Sequence, residues 1–370
     1  MKKAILAGLF SSTLLLAACG EIEETPEETS AEDKTSEQTV EEETNSEEES
    51  SETTEVSEAS EGAVIKTMYS APHGDKAFAS IFVVMDSETI TDVVLDEYQY
   101  MENTDLTSVP NSDAGFGEGS MEDTILISKR TNDDAYSEMM AGAGSTVSYE
   151  DNLAAIQDFA IGQTPSELEE AIRELNRLGE DEDIADVVTG ATLVDTGGYL
   201  QAIVDAANNG FEFVGVEEAD IENAELSYSL QAPHGDKSFA AVSVLHDEET
   251  VFAASIDEFQ YLTAGDFEGV PNSDGAFGEN YGEEVVLASK IVNDAAYSTM
   301  MESAGSTVTY TDNMQALIDH AEGSTVEEIQ TTIDELNGLG EDDEITDVVS
   351  GATFVDTASY LQAIVDTVNN

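Results

Sequence analysis

Twice in this chain the same short phrase ends in a threonine hydroxyl: Asp186-Val187-Val188-Thr189-Gly190-Ala191-Thr192 and Asp347-Val348-Val349-Ser350-Gly351-Ala352-Thr353. Each threonine stands just before an amphipathic run that reads as a helix. Backbone N–H groups and the positive end of a helix dipole would favour a phosphate there. Gly190 and Gly351 allow a tight turn and close approach of a phosphate, while Ala191 and Ala352 keep bulk away. Read only as local structure, the phrase is a strand-to-helix turn. Other residues offer less. His73 and His234 recur in Pro-His-Gly-Asp turns, where a histidine could bind metal or close a hydrogen-bonded loop. Tyr98, Tyr100 and Phe116, with counterparts Phe259, Tyr261 and Phe277, could stack on a planar ring or fill a core. Gly115-Phe116-Gly117 and Gly275-Ala276-Phe277-Gly278 lack dinucleotide-fingerprint spacing. The acidic turns at 180–183 and 341–344 lack EF-hand ligand spacing and read as solvated. No nucleophile, histidine and acid recur as a set, and no paired metal histidines occur, so neither catalytic residues nor a metal site is expected.

The phrase D-x-x-[ST]-G-A-T resembles the acceptor motif that a flavin transferase modifies by joining FMN to the last threonine through a phosphoester. With a lipoprotein-like start and two such motifs, the chain is similar to the FMN-binding lipoproteins of Gram-positive flavin-based extracellular electron transfer, the pheromone-encoding lipoprotein family. The resemblance covers both motif-bearing regions but not the acidic segment before them. It implies covalent FMN on Thr192 and Thr353, with Asp186 and Asp347 assisting modification. It also implies a carrier rather than a turnover enzyme, passing electrons from a membrane quinone-linked dehydrogenase to extracellular acceptors such as ferric iron. A covalent bond suits that role, because a free anionic flavin would be repelled by an acidic protein and lost by dilution outside the cell.

Composition agrees with a surface protein. Against 81 Asp and Glu stand 11 Lys and Arg, for a formal net charge of -70. Nucleic acid is excluded as a partner, and anionic headgroups would be repelled. The single cysteine, Cys19, rules out an intrachain disulfide. Lys2 and Lys3 precede an apolar run over 4–18, and Leu16-Ala17-Ala18-Cys19-Gly20 resembles a lipobox. Residues 1–19 are therefore read as a lipoprotein signal peptide with Cys19 as the lipidated residue. This places the protein extracellularly, anchored by lipid to the outer face of the cytoplasmic membrane. Residues 20–62 are dominated by Glu, Ser and Thr, too polar to fold, and are expected to be a disordered linker extended beyond about 35 Å. It could be a tether or simply a solubilising tail. A second functional reading, a non-redox acidic surface module for cations, peptides or wall polymers, rests on the same acidity.

The elements that must position the threonines repeat as well. Pro72-His73-Gly74-Asp75 returns as Pro233-His234-Gly235-Asp236, and Val109-Pro110-Asn111-Ser112-Asp113 as Val270-Pro271-Asn272-Ser273-Asp274, each at an offset of 161. Such a period means duplication of a whole domain, giving units at 63–209 and 224–370 joined by a connector at 210–223; the resemblance implies that both are FMN-binding domains. In each, apolar runs (78–85 and 90–98; 239–245 and 251–259) read as a hairpin, and 124–128 and 284–289 add a strand. Capping boxes at Thr164 and Thr325 open a helix, which Gly179 and Gly340 should stop. Leu200, Ile203, Val204 and Ala207, matched by Leu361, Ile364, Val365 and Val368, give the last helix an apolar face expected to hold the motif threonine. The fold class predicted is α+β, each domain an antiparallel sheet with packed helices.

Overall fold

The computed structural model describes residues 64–102, 105–179, 182–213, 223–340 and 343–370. Cys19, the signal peptide, the acidic linker and most of the connector lie outside the described residues, as do parts of both acidic turns.

The element order runs twice through one pattern. In the first repeat it is β1 (Val64–Ser70), β2 (Ala77–Asp86), β3 (Thr89–Glu102), β4 (Thr124–Ser128), α1 (Asp133–Gly142), α2 (Tyr149–Ala160), α3 (Pro165–Leu175), α4 (Thr196–Asn209) and the short β5 (Phe211–Glu212). In the second it is β6 (Glu225–Gln231), β7 (Ser238–His246), β8 (Val251–Thr263), β9 (Val285–Ser289), α5 (Asp294–Ser303), α6 (Tyr310–Ala321), α7 (Val326–Asn337) and α8 (Thr357–Val368). The strands form two antiparallel sheets, ordered β4-β3-β2-β1-β5 and β6-β7-β8-β9. The fold is thus mixed α+β.

Why β2 and β7 are nearly continuous apolar runs, interrupted inside only by Ser80 and Ser243, follows from what covers them. Side chains alternate between the faces of a strand. Ala79, Ile81 and Val83 face a core shared with Leu153 and Ile156 of α2 and Leu200 and Ile203 of α4. Phe78, Phe82 and Val84 face the opposite way and pack with Phe239, Ala241 and Leu245 of β7. The second repeat mirrors this, with Ala240, Val242 and Val244 against α6 and α8. The two sheets therefore pack face to face with helices on both outer sides, so neither has a solvated face.

The inter-sheet core is aromatic. Phe239 and Phe259 stack at 5.0 Å between centroids, and Phe78 meets Phe277 edge-on at 5.3 Å. Tyr98, Tyr100, Phe116, Phe259, Tyr261 and Phe277 all belong here, so core packing accounts for them. Two buried carboxylates lie at this seam. Asp96 accepts from Ser128 Oγ (2.9 Å) and from Tyr228 of the other repeat (3.0 Å). Asp257 accepts from Ser289 and from Tyr69 across the seam (2.7 Å). Burial outweighs these hydrogen bonds and pushes both carboxyls up to about 6.

Loops are exchanged as well. The Phe116 N–H donates to Asp236 O at 2.7 Å, and the Phe277 N–H to Asp75 O at 2.8 Å. Asn111 Nδ2 reaches Gly235 O and Ser238 O (2.9 and 2.7 Å), while Asn272 Nδ2 reaches Gly74 O and Ala77 O (2.8 and 2.7 Å). Gly117 and Gly278 make these loops possible: a Cβ on either would stand 1.9 Å from a backbone oxygen of Ser112 or Ser273.

The capping boxes form as expected at Thr164 and Thr325. The helices they open end earlier than Gly179 and Gly340, at Leu175 and Asn337. Neither glycine takes positive φ; instead their N–H groups donate to the side chains of Glu182 and Asp343, both at 2.8 Å. Among the described residues no helix is long and apolar enough to cross a membrane.

Candidate cofactor-attachment site

Each motif threonine lies on an exposed turn between a short 3₁₀ turn (Ile184–Asp186 or Ile345–Asp347) and the last helix of its repeat. Val188 and Ala191, like Val349 and Ala352, are buried and pin the turn to the core. Gly190 and Gly351 take φ of 94° and 91°, left-handed backbone that a side chain would strain. The threonine is then delivered to the surface with its anchor residues tucked inward.

A buried asparagine holds the threonine. Asn152 Oδ1 accepts the Thr192 N–H at 2.6 Å and the Thr192 hydroxyl at 3.1 Å. Asn313 Oδ1 accepts the same two groups of Thr353 at 2.6 and 3.0 Å. This corrects the expectation that the inner face of α4 or α8 does the holding: the contact comes from the first turn of α2 or α6. Those last helices begin only at Thr196 and Thr357, after Asp195 and Asp356, so the hydroxyls do not sit at a free helix start. Asp195 and Asp356 hold the N-cap positions without a side-chain capping bond; their carboxylates pair instead with histidine, His73 Nδ1 to Asp195 at 2.7 Å and His234 Nδ1 to Asp356 at 2.8 Å. His73 and His234 therefore close hydrogen-bonded loops. Asp186 is exposed and accepts the Asp183 N–H (3.4 Å) within its own turn; neither it nor Asp347 is bonded to its motif threonine.

Beside Thr353 opens a cavity of about 430 Å³, walled by Phe354, Val355, Met301, Tyr297, Tyr310 and Lys290 among others. That volume falls in the range of about 300–1,000 Å³ common for small-molecule sites. Lys290 is 1% exposed and its ammonium lies 2.6 Å from Glu258 and 4.8 Å from the Tyr297 ring centroid. Burial pulls this ammonium's pKa down, but Glu258 and Tyr297 more than offset that, and the net direction is up. Tyr310 and Tyr360 also donate to Glu258 Oε2, at 3.4 and 2.7 Å. Burial first, and then the Glu258 charge, push both phenols well above their ordinary range. The first repeat builds the same cluster from Lys129, Glu97, Tyr149 and Tyr199, with the ion pair at 2.9 Å.

Two of the substitutions between the repeats alter this cluster. Glu258 Oε1 accepts from Ser238 Oγ at 2.9 Å, whereas the first repeat carries Ala77 at that place and Glu97 Oε1 is buried without a partner. Phe354, packed 5.8 Å from both Tyr310 and Tyr360, is replaced by Leu193.

At Thr353 the surroundings have room for a flavin nucleotide: an exposed hydroxyl beside an aromatic and aliphatic cavity whose wall holds a buried ion pair. Asn152, Asn313, Lys129 and Lys290 were absent from the sequence-based set of site residues. A signal existed, since a lysine recurring at the repeat offset stands out in a chain with 11 Lys and Arg. An asparagine beside Leu153 or Met314 on an apolar stripe stands out equally. Compared with known proteins, the chain matches no family model, no curated protein and no solved structure.

Proposed function

We propose that the protein is a lipid-anchored extracellular electron carrier bearing covalent FMN on Thr192 and Thr353. Its architecture, in this reading, is a tandem duplication of an FMN-binding-like domain behind a disordered acidic linker over 20–62 that follows a lipidated Cys19. The observation that carries the proposal is the repeated site: an exposed threonine, held by a buried asparagine on a glycine turn, in both motif copies. The cavity beside Thr353 supports it further.

When bound, the flavin would supply reversible electron transfer. This chain's residues would do the rest: Thr192 and Thr353 would hold the cofactor, Phe354, Val355 and Met301 would line one site, and the neutral Lys290–Glu258 ion pair would lie in its wall. A flavin transferase would install the group, a membrane quinone-linked donor would reduce it, and extracellular acceptors would reoxidise it. Protein co-expressed with a flavin transferase, denatured and dialysed, should retain flavin absorbance, and Thr192→Ala or Thr353→Ala should each remove about half of it. The alternative, an acidic non-redox binding module favoured by the net charge of -70, expects a colourless protein indifferent to both substitutions.

A further inference from the structure

A threonine hydroxyl on an exposed turn is free to sample staggered rotamers, and only some of them turn a lone pair toward an incoming phosphorus. At both motif threonines one buried side chain removes that freedom. Asn152 and Asn313 are fully buried in the first turn of α2 and α6. The orientation of each amide is fixed by chemistry: a backbone N–H can only donate, so the amide oxygen must face the threonine. The Nδ2 group then faces its own helix, donating to Ser148 O or Thr309 O, both at 2.8 Å. A buried amide is costly unless its bonds are made. Here they are spent on the motif threonine and on the helix turn that fixes the amide in place.

We propose that Asn152 and Asn313 are positioning residues for phosphoester formation at Thr192 and Thr353, an inference that rests on the flavin reading. Joining FMN itself to a hydroxyl would expel water and run uphill in aqueous solution, so the donor must be an activated, pyrophosphate-linked flavin dinucleotide. A lone pair on threonine Oγ forms the new O–P bond. The P–O bond to the second phosphate breaks, its electron pair leaves with the departing mononucleotide, and the hydroxyl proton passes to a base of the transferase or to water. An amide oxygen is too weak a base to take that proton, so the asparagine's part is geometric. By drawing the O–H inward it turns the Oγ lone pairs toward solvent, and phosphoryl transfer gains chiefly from such placement. Afterwards Oγ has no hydrogen to give, while the Thr N–H still holds the turn to the amide oxygen.

The test uses the full chain, a flavin transferase and the flavin dinucleotide, with labelling at each threonine followed by peptide mass spectrometry. Asn152→Leu keeps the side-chain bulk and removes the acceptor. The kcat for Thr192 should fall about tenfold, the effect of one rotamer-fixing hydrogen bond, with KM unchanged and Thr353 of the same molecule labelled at the unsubstituted rate. Asn313→Leu should reverse the pattern, and Asn152→Asp, which restores an acceptor, should recover most of the lost kcat. Unchanged kcat at Thr192, a loss wholly in KM, slowing of both threonines together, or no rescue by Asp would overturn the inference. An unsubstituted chain with no adduct on either threonine rejects the flavin reading itself, and this inference with it.

Discussion

The seam between the two sheets should make stability depend on pH through Asp96 and Asp257. Each is buried, and burial moves its carboxyl from an ordinary 3.8 to about 6. A carboxyl with a raised folded-state pKa binds its proton more tightly when folded. Its stabilising contribution is therefore complete below about 3.8 and lost as the pH climbs through about 6. The difference of about two pH units corresponds to ~3 kcal/mol per group in full, of which ~2 kcal/mol is lost between pH 4.5 and pH 8. Other carboxylates also respond to pH in so acidic a chain, so the comparison must be with Asp96→Asn. The substituted amide can accept from Ser128 Oγ and donate to the Tyr228 hydroxyl, which in turn can donate to the neighbouring Tyr98 hydroxyl. The variant thus mimics the protonated acid at every pH. Urea unfolding at intervals from pH 4.5 to 8 should show the advantage of Asp96→Asn over wild type growing by ~2 kcal/mol, from ~1 kcal/mol at the acid end to ~3 kcal/mol at pH 8. Parallel pH profiles for the two proteins would refute the assignment of a raised carboxyl to this seam.

Other outcomes follow from the same geometry. Ser238→Ala should cost about 1–3 kcal/mol by leaving Glu258 Oε1 unpaired, and Ala77→Ser should stabilise the first repeat by about 1 kcal/mol by supplying Glu97 Oε1 with the donor it lacks; chemical denaturation reads both. Lys290→Met should destabilise by about 3–5 kcal/mol because it strands the buried Glu258 carboxylate, and adding Glu258→Gln should restore most of the loss in the same assay. Gly351→Ala, at φ of 91° and with its new Cβ 3.2 Å from Ala316 Cβ, should cost about 1–2 kcal/mol in thermal unfolding, whereas Gly282→Ala, where a Cβ meets open space, should be nearly neutral.

Where the sequence carried a strong period, it could be read. The hairpins β2–β3 and β7–β8, the strands β4 and β9, and the capped helices α3 and α7 lie where apolar runs and capping boxes put them. The first strands were missed because Val64–Ser70 and Glu225–Gln231 mix polar and apolar residues and remain largely half-buried. The helices α1 and α5 escaped notice because they bury little: among their residues only Tyr297 is buried. The run over β2 announced burial on both faces, yet no local pattern says that the second cover is another sheet of the same chain. At the site, the threonines and glycines were legible from the repeated phrase. The asparagines were not, because the hydrogen bond between Thr192 and Asn152 spans 40 positions and leaves no local trace. Asp186 and Asp347 show the converse, a motif position with no contact to the threonine it accompanies.

The central claim is that Thr192 and Thr353 are points of covalent flavin attachment, and site-resolved mass spectrometry of protein made with its transferase tests it most directly. Peptides containing each threonine should gain the mass of one FMN less one water, with fragmentation placing the added mass on the threonine side chain. Unmodified peptides at both positions, from protein exposed to an active transferase, would contradict it.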